Sequence, residues 1–128
     1  MKIALLVVIL FIVGVLLFPC TNCPGPAARK TEAKNIIFTI FSAYKGYKSE
    51  YAMYPSGNFP QIIKQLAGAN PRKIVFVESE YLNLNSEGIP VDYWKTPIRF
   101  IPESKNHSLQ IISAGPDAKF GTQDDITL

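Results

Sequence analysis

The sequence predicts an α+β fold: a long N-terminal amphipathic helix packed on a small antiparallel β-sheet, followed by an acidic C-terminal loop. Three observations carry this. Ala33, Ile36, Ile37, Ile40, Phe41, Tyr44, Tyr47 and Tyr51 recur at steps of three and four, the spacing of one helix face. Two short runs of β-branched and aromatic residues, 98–101 and 109–112, flank Pro102-Glu-Ser-Lys-Asn-His, a separation right for a hairpin with a longer loop. Between the helix and these runs the chain is punctuated every few residues by Pro, Gly and Asn. One long helix followed by a small antiparallel sheet is an α+β arrangement.

Taken in order, the chain begins with residues 3–18, sixteen residues without a charged or polar side chain, behind Lys2 and ended by Pro19. As a helix this run spans about 24 Å, short of a hydrocarbon core of about 30 Å. It is longer than the apolar centre of a signal peptide, about 7–15 residues, and shorter than a spanning helix of about 17–25. Three readings stand: a signal cleaved after Ala27, with Gly25 and Ala27 as its small residues; a retained anchor; or a lipidated Cys20. Residues 1–26 are accordingly read as signal peptide or membrane anchor with a Pro/Gly/Cys spacer, and 27–128 as the folded domain. Arg29, Lys30 and Lys34 outnumber Lys2, which by the positive-inside rule argues for a cytoplasmic C-terminus. Export is nevertheless expected, because the rest reads as a domain built for the outside: on the periplasmic face of the inner membrane if anchored, or released after signal cleavage.

The main helix is expected over 27–52, with Pro26 at or just before its first turn, where a missing N–H costs little. Lys30, Lys34, Lys45 and Lys48 lie mostly off its apolar stripe, and Tyr54-Pro55 follows its end. Phe59-Pro-Gln-Ile-Ile-Lys-Gln-Leu-Ala reads as a short second helix with Gly68 placed to terminate it. Ile74-Val-Phe-Val77 reads as a strand or extended segment, and 98–101 with 109–112 as the hairpin.

Thirteen basic and ten acidic side chains leave a formal charge of +3, too small and dispersed a surplus to make nucleic acid the partner. One His and two Cys cannot build a four-ligand zinc site from nitrogen and sulfur. Neither a nucleophile elbow, a metalloprotease helix, a P-loop nor a dinucleotide fingerprint occurs. Cys20 and Cys23 have the spacing of a redox dithiol, but their neighbours are an apolar segment and Pro24-Gly25-Pro26 rather than a βαβ unit. They read instead as incidental or disulfide-linked residues of a spacer. His107 falls in the hairpin loop, and Glu78 and Glu80 on a solvated edge. No catalysis is expected.

The terminal run Ser113-Ala-Gly-Pro-Asp-Ala-Lys-Phe-Gly-Thr-Gln-Asp-Asp-Ile gathers Asp117, Asp124 and Asp125 into one loop. Three carboxylates so placed repel one another unless they are solvated or neutralised, and a hard cation with oxygen ligands is one neutraliser. The spacing is not that of an EF-hand, since Lys119 stands where a second oxygen ligand is wanted. Calcium and a solvated acidic tail both remain open on spacing alone.

This terminal run resembles the C-terminal loop of the major pseudopilins of type II secretion systems and their shorter relatives. Lys48-Ser-Glu-Tyr-Ala-Met-Tyr-Pro55 is similar to the family's helix end, and Val91-Asp-Tyr-Trp-Lys-Thr-Pro97 to its Asp-Pro-Trp-Gly-x-Pro turn. Asn70-Pro-Arg-Lys-Ile-Val-Phe-Val77 is similar to the variable segment of those relatives. The resemblance implies a pilin-like fold and a non-catalytic subunit of a secretion or pilus-type assembly, partnered by other pseudopilin-like subunits or secretion-machinery proteins. An uncleaved N-terminal segment adds the membrane as a partner. It also implies one Ca²⁺ held by Asp117, Asp124 and Asp125, with carbonyls of residues 113–119 completing the shell. The alternative is a solitary exported calcium-binding interaction module that does not polymerise. The residues before Glu32 depart from the family's leader motif, since Gly14 is followed by Val15 and no acid precedes Glu32. No cut just after Gly14 is therefore expected, and the mature chain either begins near Ala28 or keeps Met1. Tyr93 and Lys95 replace the family's Pro and Gly in the turn.

Overall fold

The computed structural model describes residues 23–128. The readings that fall on the apolar run, Cys20 and Gly14 lie outside the described residues. Cys23, at the edge of that region, is disulfide-bonded.

Helix α1 spans Pro26–Tyr51. Pro26 opens it, because a helix leaves its first N–H groups without intrahelical partners and Pro has none to lose. Twenty-six residues make a rod of about 39 Å. Ala52 ends it in the left-handed region, at φ 58°. Ala33, Ile36, Ile37, Ile40, Ala43, Tyr44 and Tyr47 are buried on one face. Phe41, at one margin of the stripe, and Tyr51, at the helix's last residue, are half-buried, while Ala43 at the opposite margin is buried. At 100° per residue Phe41 falls well to one side of the line through Ala33, Ile40 and Tyr44.

Helix α2, Phe59–Leu66, is set by its cap. Gln61 N–H donates to Asn58 Oδ1 and Asn58 N–H donates to Gln61 Oε1, both at 3.0 Å, satisfying two donors reciprocally. Gly68, at φ +110°, turns the chain out of the helix as expected. Ile62, Ile63 and Leu66 are buried against α1.

Ile74 to Val77 does not form a strand. Its ladder groups are taken locally: the Asn70 side chain accepts from Ile74 N–H at 2.9 Å and donates to Ile74 C=O at 2.7 Å. Phe76 and Val77 N–H both donate to Leu66 C=O, at 2.8 and 3.2 Å. The segment is a strap across the end of α2 that buries Val77. A short 3₁₀ turn, Ser79–Tyr81, follows.

Strands β1, Arg99–Ile101, and β2, Gln110–Ile112, pair antiparallel with Phe100 opposite Ile111. Each is one residue shorter than its apolar run. The hairpin packs on α1 through aromatic contacts: Tyr44 meets Phe100 edge-on at 5.3 Å and stacks on Tyr54 at 4.6 Å, while Phe59 stacks on Phe100 at 4.7 Å. This is the predicted α+β arrangement of a long helix on a small antiparallel sheet.

Candidate functional site

The acidic loop leaves β2 and returns beside it. Ser113 N–H donates to Ile126 C=O at 3.0 Å and Ile126 N–H to Ser113 C=O at 2.8 Å, so residues 114–125 are pinched closed at the base. A 3₁₀ turn, Gly115–Asp117, starts the loop. Gly115 sits at φ +70° with its Cα against the returning chain, where a Cβ would lie 2.1 Å from Asp124 C=O. Only glycine fits there.

The three carboxylates have different surroundings. Asp117 is exposed, and its Oδ1 accepts from Lys119 N–H at 3.0 Å. That bond, with a second from Thr122, holds its carboxyl below the ordinary value. Asp125 Oδ2 accepts from Gly121 N–H at 2.8 Å, whereas its Oδ1 is buried without a hydrogen-bond partner. Asp124 is half-buried, with its N–H donating to Thr122 Oγ1 at 3.3 Å. One loop thus carries all three. Among the described residues, however, no three His, Cys, Asp or Glu side chains stand close enough to hold a metal ion.

Sequence reasoning missed the residue that fixes this loop. Asp92 is fully buried; its Oδ1 accepts from Trp94 and Thr96 N–H, each at 3.0 Å, and its Oδ2 from Ser113 Oγ at 2.7 Å. Ser113 Oγ in turn accepts from Gly115 N–H at 3.2 Å. The Asp-x-Trp-x-x-Pro turn and the acidic loop are therefore one hydrogen-bonded unit. The available signal was a lone acid inside Ile89-Pro-Val-Asp92, a stretch otherwise without charge. In the same turn Lys95 takes φ +65°, the left-handed conformation that suits glycine.

The other residues singled out from the sequence stay apart from this unit. His107 is exposed in the hairpin loop, with a ring nitrogen 2.9 Å from Ser104 Oγ. Glu78 and Glu80 are both exposed; a hydrogen bond from Glu80, and then its charge, raise the Glu78 carboxyl above its ordinary value. No helix among the described residues is long and apolar enough to cross a membrane.

A long helix on a small antiparallel sheet, with a buried aspartate joining a turn to a glycine-shaped terminal loop, defines a pseudopilin-type domain. The family model for type II secretion system protein G matches residues 25–128, and the chain belongs to that family. It is 28% identical over 131 residues to the type II secretion system core protein G of Escherichia coli strain K12, covering 99% of this chain and 86% of that one. It is 30% identical to the core protein G of Pectobacterium carotovorum subsp. carotovorum, over 98% of this chain and 79% of that one. The crystal structure of the major pseudopilin from the type 2 secretion system of enterohaemorrhagic Escherichia coli aligns over 79% of this chain and 86% of its own, at 21% identity and a TM-score of 0.48. The chain is a structural, non-catalytic subunit of the pseudopilin class.

Proposed function

We propose that this chain works beside other pseudopilin-like subunits of a type II secretion apparatus, tethered to the membrane of the cell envelope by its N-terminal apolar segment. Membership of the protein G family over residues 25–128 carries the reading. Its job is mechanical: α1 offers a rod of about 39 Å, and the hairpin and loops form a head fixed to it. The test is deletion of this chain from cells that carry the apparatus. Export of its substrates to the medium should stop and return with the intact gene; unimpaired export in the deletion strain rejects the role.

The same reading includes one calcium ion taken up by Asp117, Asp124 and Asp125, completed by carbonyls of residues 113–119. The buried, unpartnered Asp125 Oδ1 supports it, as does the donor set, which is all hard oxygen. Because the three carboxylates do not stand together as a cluster, uptake requires the loop to draw them in. Melting with calcium against melting with chelator tests this, and equal melting temperatures reject the site.

A further inference from the structure

Three cations at the membrane-facing end of the rod have no place in the account so far. Arg29, Lys30 and Lys34 lie in the first turns of α1, and none of them forms an ion pair among the described residues. Lys30 and Lys34 are exposed and one turn apart, on the same side of the helix. Glu32, the only acid nearby in sequence, is rotated about 160° from both of them. Arg29 lies against an aromatic pair brought in from the Asp92 turn: its guanidinium is 5.2 Å from the centre of the Tyr93 ring, and Tyr93 meets Trp94 edge-on at 5.7 Å. Both aromatic side chains are half-buried, with part of each facing solvent.

The distance to the bilayer is bounded by the sequence. Seven residues, 19–25, separate the apolar run from α1, and seven residues reach at most about 25 Å. Arg29 over the Tyr93 ring, with Lys30 and Lys34 exposed on the first turns of the same helix, offers the chemistry of a headgroup contact within that reach: Lys and Arg pair with anionic phosphates, and amphipathic rings lodge at the interface. We propose that Arg29, Lys30 and Lys34 with Tyr93 and Trp94 form a collar that docks the head onto anionic phospholipid. The collar also gives the positive charges after the apolar run a use other than topology. The inference rests on the membrane tether proposed above.

Trp94 is the only tryptophan, so its emission reports on the collar alone. The experiment reconstitutes the full chain in phosphatidylcholine vesicles with and without phosphatidylglycerol, using brominated acyl chains as contact quenchers. Sedimentation with the vesicles reads the tether, and quenching of Trp94 reads the collar. Quenching is expected only with phosphatidylglycerol, and it should vanish near about 1 M salt, where the screening length is about 3 Å. Each lysine is expected to shift the docked-to-undocked ratio about fivefold, so K30Q/K34Q should lower it about 25-fold while leaving the melting temperature unchanged. A chain that sediments but shows no quenching, or equal quenching in both lipids, overturns the collar and leaves the tether standing. A chain that stays in the supernatant overturns both. Quenching that falls as protein is added at fixed lipid means that the collar seats on another protein surface, which also overturns the lipid assignment.

Discussion

A buried carboxylate must find donors, and Asp92 finds three: two backbone N–H groups of its own turn and the Ser113 hydroxyl 21 residues away. Hydrogen bonds to charged groups contribute about 1.5–3 kcal/mol each, and removing one partner leaves the others unsatisfied. Asp92→Asn keeps the shape and an oxygen for the two backbone N–H groups, but it removes the charge and sets an amide N–H₂ against the Ser113 hydroxyl in place of its acceptor. It should cost about 2–4 kcal/mol in urea melts, and a loss below about 0.5 kcal/mol would mean that the three bonds do not hold the turn to the loop. Two backbone positions give opposite signs. Gly115→Ala meets both a left-handed φ and the Asp124 carbonyl, so it should destabilise by at least about 2 kcal/mol. Lys95→Gly relieves a left-handed φ of +65° and should stabilise by about 0.5–1 kcal/mol in the same melts. The Asp92 network was not legible from spacing. Asp117, Asp124 and Asp125 could be seen to share a loop because they are near in sequence, whereas the Asp92–Ser113 bond exists only once the turn and β2 have folded together.

On α1 the burial pattern sets the ranking of substitutions. Ile40 is fully buried in the main cluster, so Ile40→Ala should cost about 2–5 kcal/mol; Phe38, 59% exposed, should tolerate Ala within about 0.5 kcal/mol. Phe41, half-buried, belongs between them at about 1–2 kcal/mol, below the cost of a core phenylalanine. A similar loss at Phe38 and Ile40 would overturn the packed face. The helix also meets the hairpin through charge. Glu103 Oε2 accepts from Lys45 Nζ at 2.5 Å and from Tyr54 O–H at 2.6 Å, and those bonds, Lys45 first, hold its carboxyl below the ordinary value of 4.5. A carboxyl depressed on folding stabilises above its unfolded value, and the contribution is lost as pH falls through the folded one. Melting temperature should therefore drop on acidification below about pH 4.5, and Glu103→Gln should flatten that acid limb. An unchanged limb in the variant assigns the loss to other carboxylates. The helix and the hairpin were legible because each is written in a local period. The segment at 74–77 has strand composition, but one Asn70 side chain takes both polar groups of Ile74, and no local pattern announces that.

For the whole molecule, the acidic loop is where composition and stability meet. Among the described residues the sheet beneath α1 is a two-stranded hairpin, and the bridge from Ser113 to Ile126 ties the final residues to it. Anything that binds the folded loop and not the unfolded chain adds stability by mass action. Calcium needs about 6–8 oxygens, so three carboxylates must be supplemented by carbonyls and water, which a loop with glycines at 115 and 121 can present. Extracellular modules hold calcium with dissociation constants of about 10⁻⁴–10⁻³ M. At about 2 mM calcium and a constant near 10⁻⁴ M, linkage gives RT ln 21, roughly 1.8 kcal/mol. For a folded region of roughly 100 residues this raises the melting temperature by about 7–14 °C. The same melt at acid pH should show a smaller shift, because the carboxylates must be ionised to bind. Magnesium, smaller and bound to its waters, is the control and should shift the melt less. Asp124→Ala should abolish the calcium shift; a shift that survives it rejects these ligands. Equal melting in calcium and chelator leaves the Asp92–Ser113 bond and the Ser113–Ile126 bridge as the means by which this loop is closed.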